Sequence, residues 1–223
     1  MKTILHELAH SPFCIPVKRI LESWSIEFAC RQVSPWDRRS VIELTRGAYY
    51  QVPVLEHGDD IIYETESDPL AVAHFLDNQF CAQQLFPEHS RGIQEIVIEH
   101  IESTLEGIGF RLSDPYVLEQ IPERGERVMT ARHKERLFGA GCVESWKRNA
   151  GDIARAFEAG LINYERRLGT LPYLFGELPV YADFALFGVI GNAEYDGPYE
   201  LCEEYVNMKR WQESMANFSA NGS

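Results

Sequence analysis

The stretch His10-Ser11-Pro12-Phe13-Cys14 brings an imidazole, a hydroxyl and a thiol to one place in the chain. It lies between a short apolar strand, Thr3 to Leu8, and an amphipathic helix carrying Val17, Ile20, Leu21 and Trp24. The first turn of a helix leaves amide donors unpaired and carries the positive end of the helix dipole, so it favours an anion. The anion these residues suit is a thiolate. A cysteine so placed becomes a nucleophile, whereas a hydroxyl cannot exchange disulfides but can donate a hydrogen bond to a thiolate carried by another molecule. A plainer reading stands beside this one: Ser followed by Pro is an ordinary helix start, Cys14 suits packing, and His10 suits an imidazole at a strand end with a backbone partner. Pro16 removes an amide donor and restrains Ile15 toward extended geometry. That predicts a helix starting a turn late, with Ser11 in a loop and His10 competing for its role.

The elements around these residues follow from composition and periodicity. The chain has 223 residues, enough for one large or two small domains, with two preferred here, and a formal net charge of -13. Such a charge argues against binding a nucleic-acid backbone, which needs clustered positive surface. Five cysteines (Cys14, Cys30, Cys81, Cys142, Cys202) are odd in number, widely spaced and without metal-ligand spacing. They predict a reducing compartment and no metal. No segment approaches about 18 uninterrupted apolar residues, and no basic-then-apolar leader opens the chain. A cytoplasmic protein without membrane attachment is expected.

Over residues 1–80, strand and helix signals alternate. A strand is expected around Ile26 to Val33, a short helix within Asp37 to Thr45, and strands at Val52 to Leu55 and Ile61 to Tyr63. The last two flank a Gly- and Asp-bearing hairpin turn. Ser67-Asp68-Pro69 predicts the next helix start, with an acid capping ahead of proline at the first helical position. Residues 81–90, holding Pro87, read as a linker, and from Arg91 every periodic segment is helical. Ile93, Ile96, Val97, Ile101, Leu105 and Ile108 mark one apolar face, and Ile153, Phe157, Leu161, Tyr164 and Leu168 another. Phe184 to Ile190 is apolar all round and predicts a buried helix.

Ser11-Pro12-Phe13-Cys14 resembles the Cys-Pro-Phe/Tyr-Cys motif of glutaredoxin-like chains with its first cysteine replaced by serine. Together with Gln51-Val52-Pro53-Val54-Leu55, the acidic-hydroxyl run Glu64 to Asp68, and Leu178 to Phe184, it makes the chain resemble a cytosolic glutathione transferase over nearly its whole length. The resemblance implies an α/β thioredoxin-like N-terminal domain (residues 1–80), a linker (81–90) and an all-α C-terminal domain (91–223). It implies glutathione as co-substrate, a small apolar electrophile between the domains, and a two-fold homodimer. Ser11 would donate a hydrogen bond to the glutathione sulfur, with Cys14 and His10 as alternative catalytic groups. Gln51, Val52 and Pro53 would hold the peptide, the residue before a cis-proline pairing its backbone with the cysteinyl unit. From its residues alone, Pro53 equally suits a trans proline opening a strand.

For the γ-glutamyl end, the resemblance implies an acid and a hydroxyl at the start of the third helix, and three registers are open. Counting along the hairpin gives Glu64 and Thr65, the literal pair is Glu66 and Ser67, and counting back from Phe75 gives Asp68 and Pro69. The mismatch implies an insertion of about one helical turn, roughly four residues. In the second half, the family's Ser/Thr-x-x-Asp box reads Val180-Tyr181-Ala182-Asp183, so only the carboxylate half of the reciprocal cap survives. Phe110, Arg111, Tyr116 and the run Arg132-His133-Lys134-Glu135-Arg136 are candidates for the electrophile pocket, although a charged run is also what a solvated helix face looks like. Three functions remain open on these residues: a transferase using Ser11, a thiol transferase using Cys14, and a non-catalytic module that binds a protein partner.

Overall fold

The computed structural model describes residues 1–221. Its N-terminal half runs β1 (Thr3–Glu7), α1 (Cys14–Ser23), β2 (Ala29–Gln32), α2 (Arg39–Leu44), β3 (Val54–His57), β4 (Asp60–Ile62) and α3 (Ala71–Phe80). The four strands form one sheet in the order β2-β1-β3-β4, with β1 parallel to β2 and antiparallel to β3, and β3 antiparallel to β4. β1 is buried along its whole length because it is a central strand with helices against the sheet. β2 is an edge strand and is exposed throughout, which is why its signal shrinks from the expected Ile26–Val33 to four residues. The β3–β4 hairpin turns at Gly58, whose φ of 62° lies in the left-handed region that glycine adopts without a steric penalty. β3 starts at Val54 rather than Val52, since Pro53 has no amide to pair and the Val52–Pro53 bond is cis.

Two helix starts differ from expectation. α1 begins at Cys14 without a lost turn, because the amides of Cys14 and Ile15 both bond the Ser11 carbonyl at 3.0 Å. Pro16 therefore falls in the first turn, where a missing amide costs little. α3 begins at Ala71, two residues beyond Pro69. Asp68 is not the cap: Leu70 holds that position with no side-chain cap, Asp68 accepts only from the Leu70 amide at 3.2 Å, and its backbone pairs with Thr65 in a tight turn that precedes the helix.

The remaining elements are helices. α4 (Arg91–Glu99) continues through a π-helical segment (His100–Leu105) into α5 (Glu106–Gln120). α6 (Arg124–Phe138), α7 (Cys142–Arg148), α8 (Ala150–Leu168), α9 (Tyr181–Ala193) and α10 (Val206–Asn217) follow. The expected all-round burial of Phe184–Ile190 holds for α9, in which only Phe187 and Gly191 are even partly exposed. α9 packs against α1, α4, α5 and α10, so one continuous core runs from Leu5 and Leu21 to Phe184 and Trp211. The thioredoxin-like sheet domain and the all-α domain thus share apolar interior. The segment between α3 and α4 is tied down as well: Asp77 accepts from the amides of Leu85 and Phe86, and the Leu85 carbonyl accepts from the Tyr181 amide. All five cysteines are free, and among the described residues no helix is long and apolar enough to cross a membrane.

At the head of α9, the surviving half of the cap is completed by other partners. Asp183, wholly buried, accepts from the amides of Val180 (3.1 Å) and Leu174 (2.9 Å) and from the Trp211 indole (3.0 Å). Burial raises its carboxyl to about 6 against those three donors. Asp183→Ala strands three buried donors, and stability should fall by about 3 kcal/mol or more. Equilibrium denaturation checks this, and an unchanged midpoint would remove the capping role.

Candidate functional site

A cleft of about 610 Å³ opens between the C-terminal end of β1 and the faces of α5 and α6. Its floor carries His10, Ser11, Pro12 and Phe13, one wall carries Trp36, Arg38, Tyr50, Gln51 and Val52, and the opposite wall carries Phe110, Asp114, His133, Lys134 and Phe138. Ser11 and the cis-proline strand belong to different elements, and the parallel β1–β2 and antiparallel β1–β3 pairings bring them together at one sheet end.

Ser11 is 7% exposed, and its Oγ accepts from the Phe13 amide at 3.3 Å. It satisfies one amide in the turn ahead of α1, and its hydroxyl also lies against the Cys14 thiol. Cys14, one turn on, faces the core and is fully buried. Burial pushes its thiol up to about 12, against the pull of the Ser11 hydroxyl and the Leu8 backbone. His10 is held below its ordinary value of 6.5, chiefly by burial and further by Lys134 and Arg38, so its imidazole is neutral at pH 7.

The run Glu64 to Asp68 is absent from the cleft lining. The hairpin register, Leu55 opposite Ile62, is unbroken, and residues 65–68 follow it outside the sheet. They form a closed turn in which the Thr65 amide bonds the Asp68 carbonyl at 3.0 Å and the Asp68 amide bonds both the Thr65 carbonyl and Oγ1. Glu66 and Ser67 sit exposed at its tip, and Asp68 pairs with His74 at 2.9 Å. Glu64 is half-buried and receives the Tyr49 hydroxyl at 3.2 Å.

Among the helical-domain candidates, Phe110, His133 and Lys134 line the cleft, and Lys134 pairs with the buried Asp114. Arg111 instead stacks over the Phe110 and Phe138 rings, Tyr116 takes the Lys147 ammonium, and Arg132 pairs with Glu135 on the exposed face.

The sequence reading passed over two residues. Arg38 lies in Asp37-Arg38-Arg39, which looks like a solvated charge run. Arg39 satisfies Asp37, however, and Arg38 turns into the cleft with one guanidinium nitrogen buried and unpaired, no carboxylate bonding it among the described residues. Asn192, at the end of an apolar helix, reaches the His10 carbonyl at 2.6 Å. Neither carries a spacing signal. A chain-neighbour pairing of Asp37 with Arg39 is the hint that would have freed Arg38.

A small mixed sheet with a cis-proline ahead of β3, joined to an all-helical part, defines a thioredoxin-like domain followed by an all-α one. The models of the glutathione S-transferase N-terminal domain and C-terminal domain match residues 5–80 and 130–213 respectively, and the chain belongs to the glutathione S-transferase family. Its fold is similar to that of glutathione transferase GSTFuA3 from Phanerochaete chrysosporium, at 16% identity and TM-score 0.78, covering 100% of this chain and 99% of that one. It is also similar to a glutathione S-transferase from Xanthobacter autotrophicus Py2 (20% identity, TM-score 0.63, 97% and 93% covered) and to a delta-class enzyme from Nilaparvata lugens (16%, 0.64, 98% and 90%). No curated protein sequence matches the chain.

Glu64 offers a pH test of this region. Burial raises its carboxyl from 4.5 to about 7, against the Tyr49 hydrogen bond and with help from Asp68. The folded chain then binds that proton more tightly than the unfolded chain, so stability falls as pH rises from 4.5 to about 7. Glu64→Gln should flatten this part of the stability curve, as urea denaturation at several pH values will report.

Proposed function

We propose that the cleft binds glutathione and that Ser11 holds its sulfur as a thiolate for attack on a small apolar electrophile. The observation that carries this reading is the convergence of Ser11, Gln51 and Val52 on one cleft with the aromatic wall of Phe110 and Phe138. The Ser11 hydroxyl donates to the sulfur, and the positive end of α1 favours the charged form, so the thiol loses its proton at neutral pH. The thiolate lone pair then forms the new carbon–sulfur bond while the leaving group departs with its own electron pair. Such an attack needs little acid–base machinery once the reactants are held in line.

In this reading, the Gln51 amide and the Val52 backbone hold the peptide, and Arg38 takes a carboxylate of the ligand. For the ammonium, Glu64 is favoured over Glu66, Ser67 and Asp68 because it is the half-buried acid held by Tyr49, although it stands beside the cleft lining and not on it. Residues 1–80 then form the glutathione-binding domain and residues 91–223 the electrophile side, joined by 81–90, in a cytoplasmic homodimer. Cys14 is disfavoured as a nucleophile by its burial and its raised thiol.

One observation favours a second reading. The Thr65 amide and hydroxyl, which the family uses on the γ-glutamyl carboxylate, are both engaged inside the Thr65–Asp68 turn. A chain that fails to bind glutathione at millimolar concentration in calorimetry would be an interaction module instead. If glutathione binds, Ser11→Ala should lower the rate of conjugation to an aryl halide roughly tenfold to hundredfold at neutral pH, the worth of one hydrogen bond to a charged group. The dissociation constant should change little. An unchanged rate would move the role to His10 or a backbone amide.

A further inference from the structure

The loop that presents Ser11 is fixed from the other domain by one face of α9. Asn192 Nδ2 donates to the His10 carbonyl at 2.6 Å, across 182 positions of sequence. Asn192 is 2% exposed, and its Oδ1 is buried with no donor. One turn earlier on the same face, Gly188 lies so close to the loop that a Cβ there would meet the Pro12 carbonyl oxygen at 2.3 Å and Pro16 Cδ at 2.6 Å. Gly191 faces Ile15, and Tyr195, at the next turn, sets its ring 5.8 Å from that of His10. Positions 188, 191 and 192 share one face of α9, and with Tyr195 just past the helix end they cover the chain from His10 to Pro16.

A buried acceptor without a donor destabilises a fold, so the Asn192 side chain is an expensive way to fill this space. A leucine of similar shape would fill it without the unpaired Oδ1. What leucine cannot do is donate to the His10 carbonyl. On the other side of Ser11, its own carbonyl is held by the amides of Cys14 and Ile15 and its amide by the Leu8 carbonyl. The His10 carbonyl is thus the point at which the loop is anchored to the helical domain.

We infer that Asn192 is a positioning residue: through the His10 carbonyl it fixes the direction in which Ser11 presents its hydroxyl to the sulfur of the bound thiol. The functional part of this inference rests on the glutathione reading, whereas the anchoring part does not, and the two are measured separately. In the ligand-free full chain, Asn192→Leu should speed hydrogen exchange of the amides of Ser11 to Ile15 about tenfold, the equilibrium factor of one lost hydrogen bond. The unfolding midpoint should change little, because the variant deletes one unpaired buried oxygen, Asn192 Oδ1, and leaves another, the His10 carbonyl, without its donor. Exchange rates equal to those of the wild type would overturn the anchor whether or not glutathione binds.

With glutathione as the probe, ultraviolet absorbance of the bound thiolate against pH should show a thiol pKa higher in the variant than in the wild type, with the dissociation constant of glutathione little changed. An equal pKa alongside faster loop exchange would overturn the positioning role. Absence of glutathione binding by the wild type would instead defeat the glutathione reading, and with it the sulfur-directed half of the inference. Asn192→Ala keeps both measurements available should the leucine variant misfold.

Discussion

Close contact between α1 and α9 is the constraint on which the rest depends. The two helices belong to different domains, and α9 is buried against four other helices at once, so it has no solvated face on which to relax. Its cap, Asp183, is satisfied only by groups from the preceding loop and from α10, and its far end reaches the Ser11 loop. The sheet domain therefore has its reactive corner defined by a helix nearly two hundred residues away. Interiors packed at this density transmit displacement rather than absorb it, and a change at the Trp211 end of α9 is coupled to the cleft by the stiffness of one helix.

Much of the architecture is legible along the sequence. The apolar strand before Ser11, the Gly58 turn and the all-apolar run at Phe184 each have one local solution, and the fold adopts it. The errors sit where local and tertiary preferences disagree. Pro16 pulls toward a late helix start, but two amides on the Ser11 carbonyl and the packing of α9 hold α1 in its full length. Asp68-Pro69 has the composition of a helix cap, yet a backbone bridge to Thr65 draws that dipeptide into a separate turn. At the site, the resemblance singles out Ser11, Gln51 and Val52, which do meet on one cleft. Arg38 and Asn192 stay hidden because neither lies in a periodic or spaced pattern. Their significance comes from which neighbours do and do not pair with them in three dimensions.

Charge is distributed unevenly over this molecule. The chain carries a formal net charge of -13, while the cleft gathers Arg38 and Lys134 against Asp114 and Glu106, with two histidines beside them. Lys134 is neutralised by Asp114, leaving Arg38 as the cation with no anion of its own. A guanidinium without a carboxylate partner gives the cleft a local field opposite in sign to the net charge of the chain.

The burial of Cys14 acquires a different meaning beside such a site. On the proposed reading, a bound sulfur would sit one helical turn from the chain's own, and oxidation of either would invite a mixed disulfide between them. Sealing Cys14 in the core, with its thiol raised to about 12, withholds both the anion and the access that this exchange requires. The serine in place of a first cysteine and the inert cysteine one turn later act together. Beside the cleft, therefore, the chain itself presents a hydroxyl and no accessible thiol.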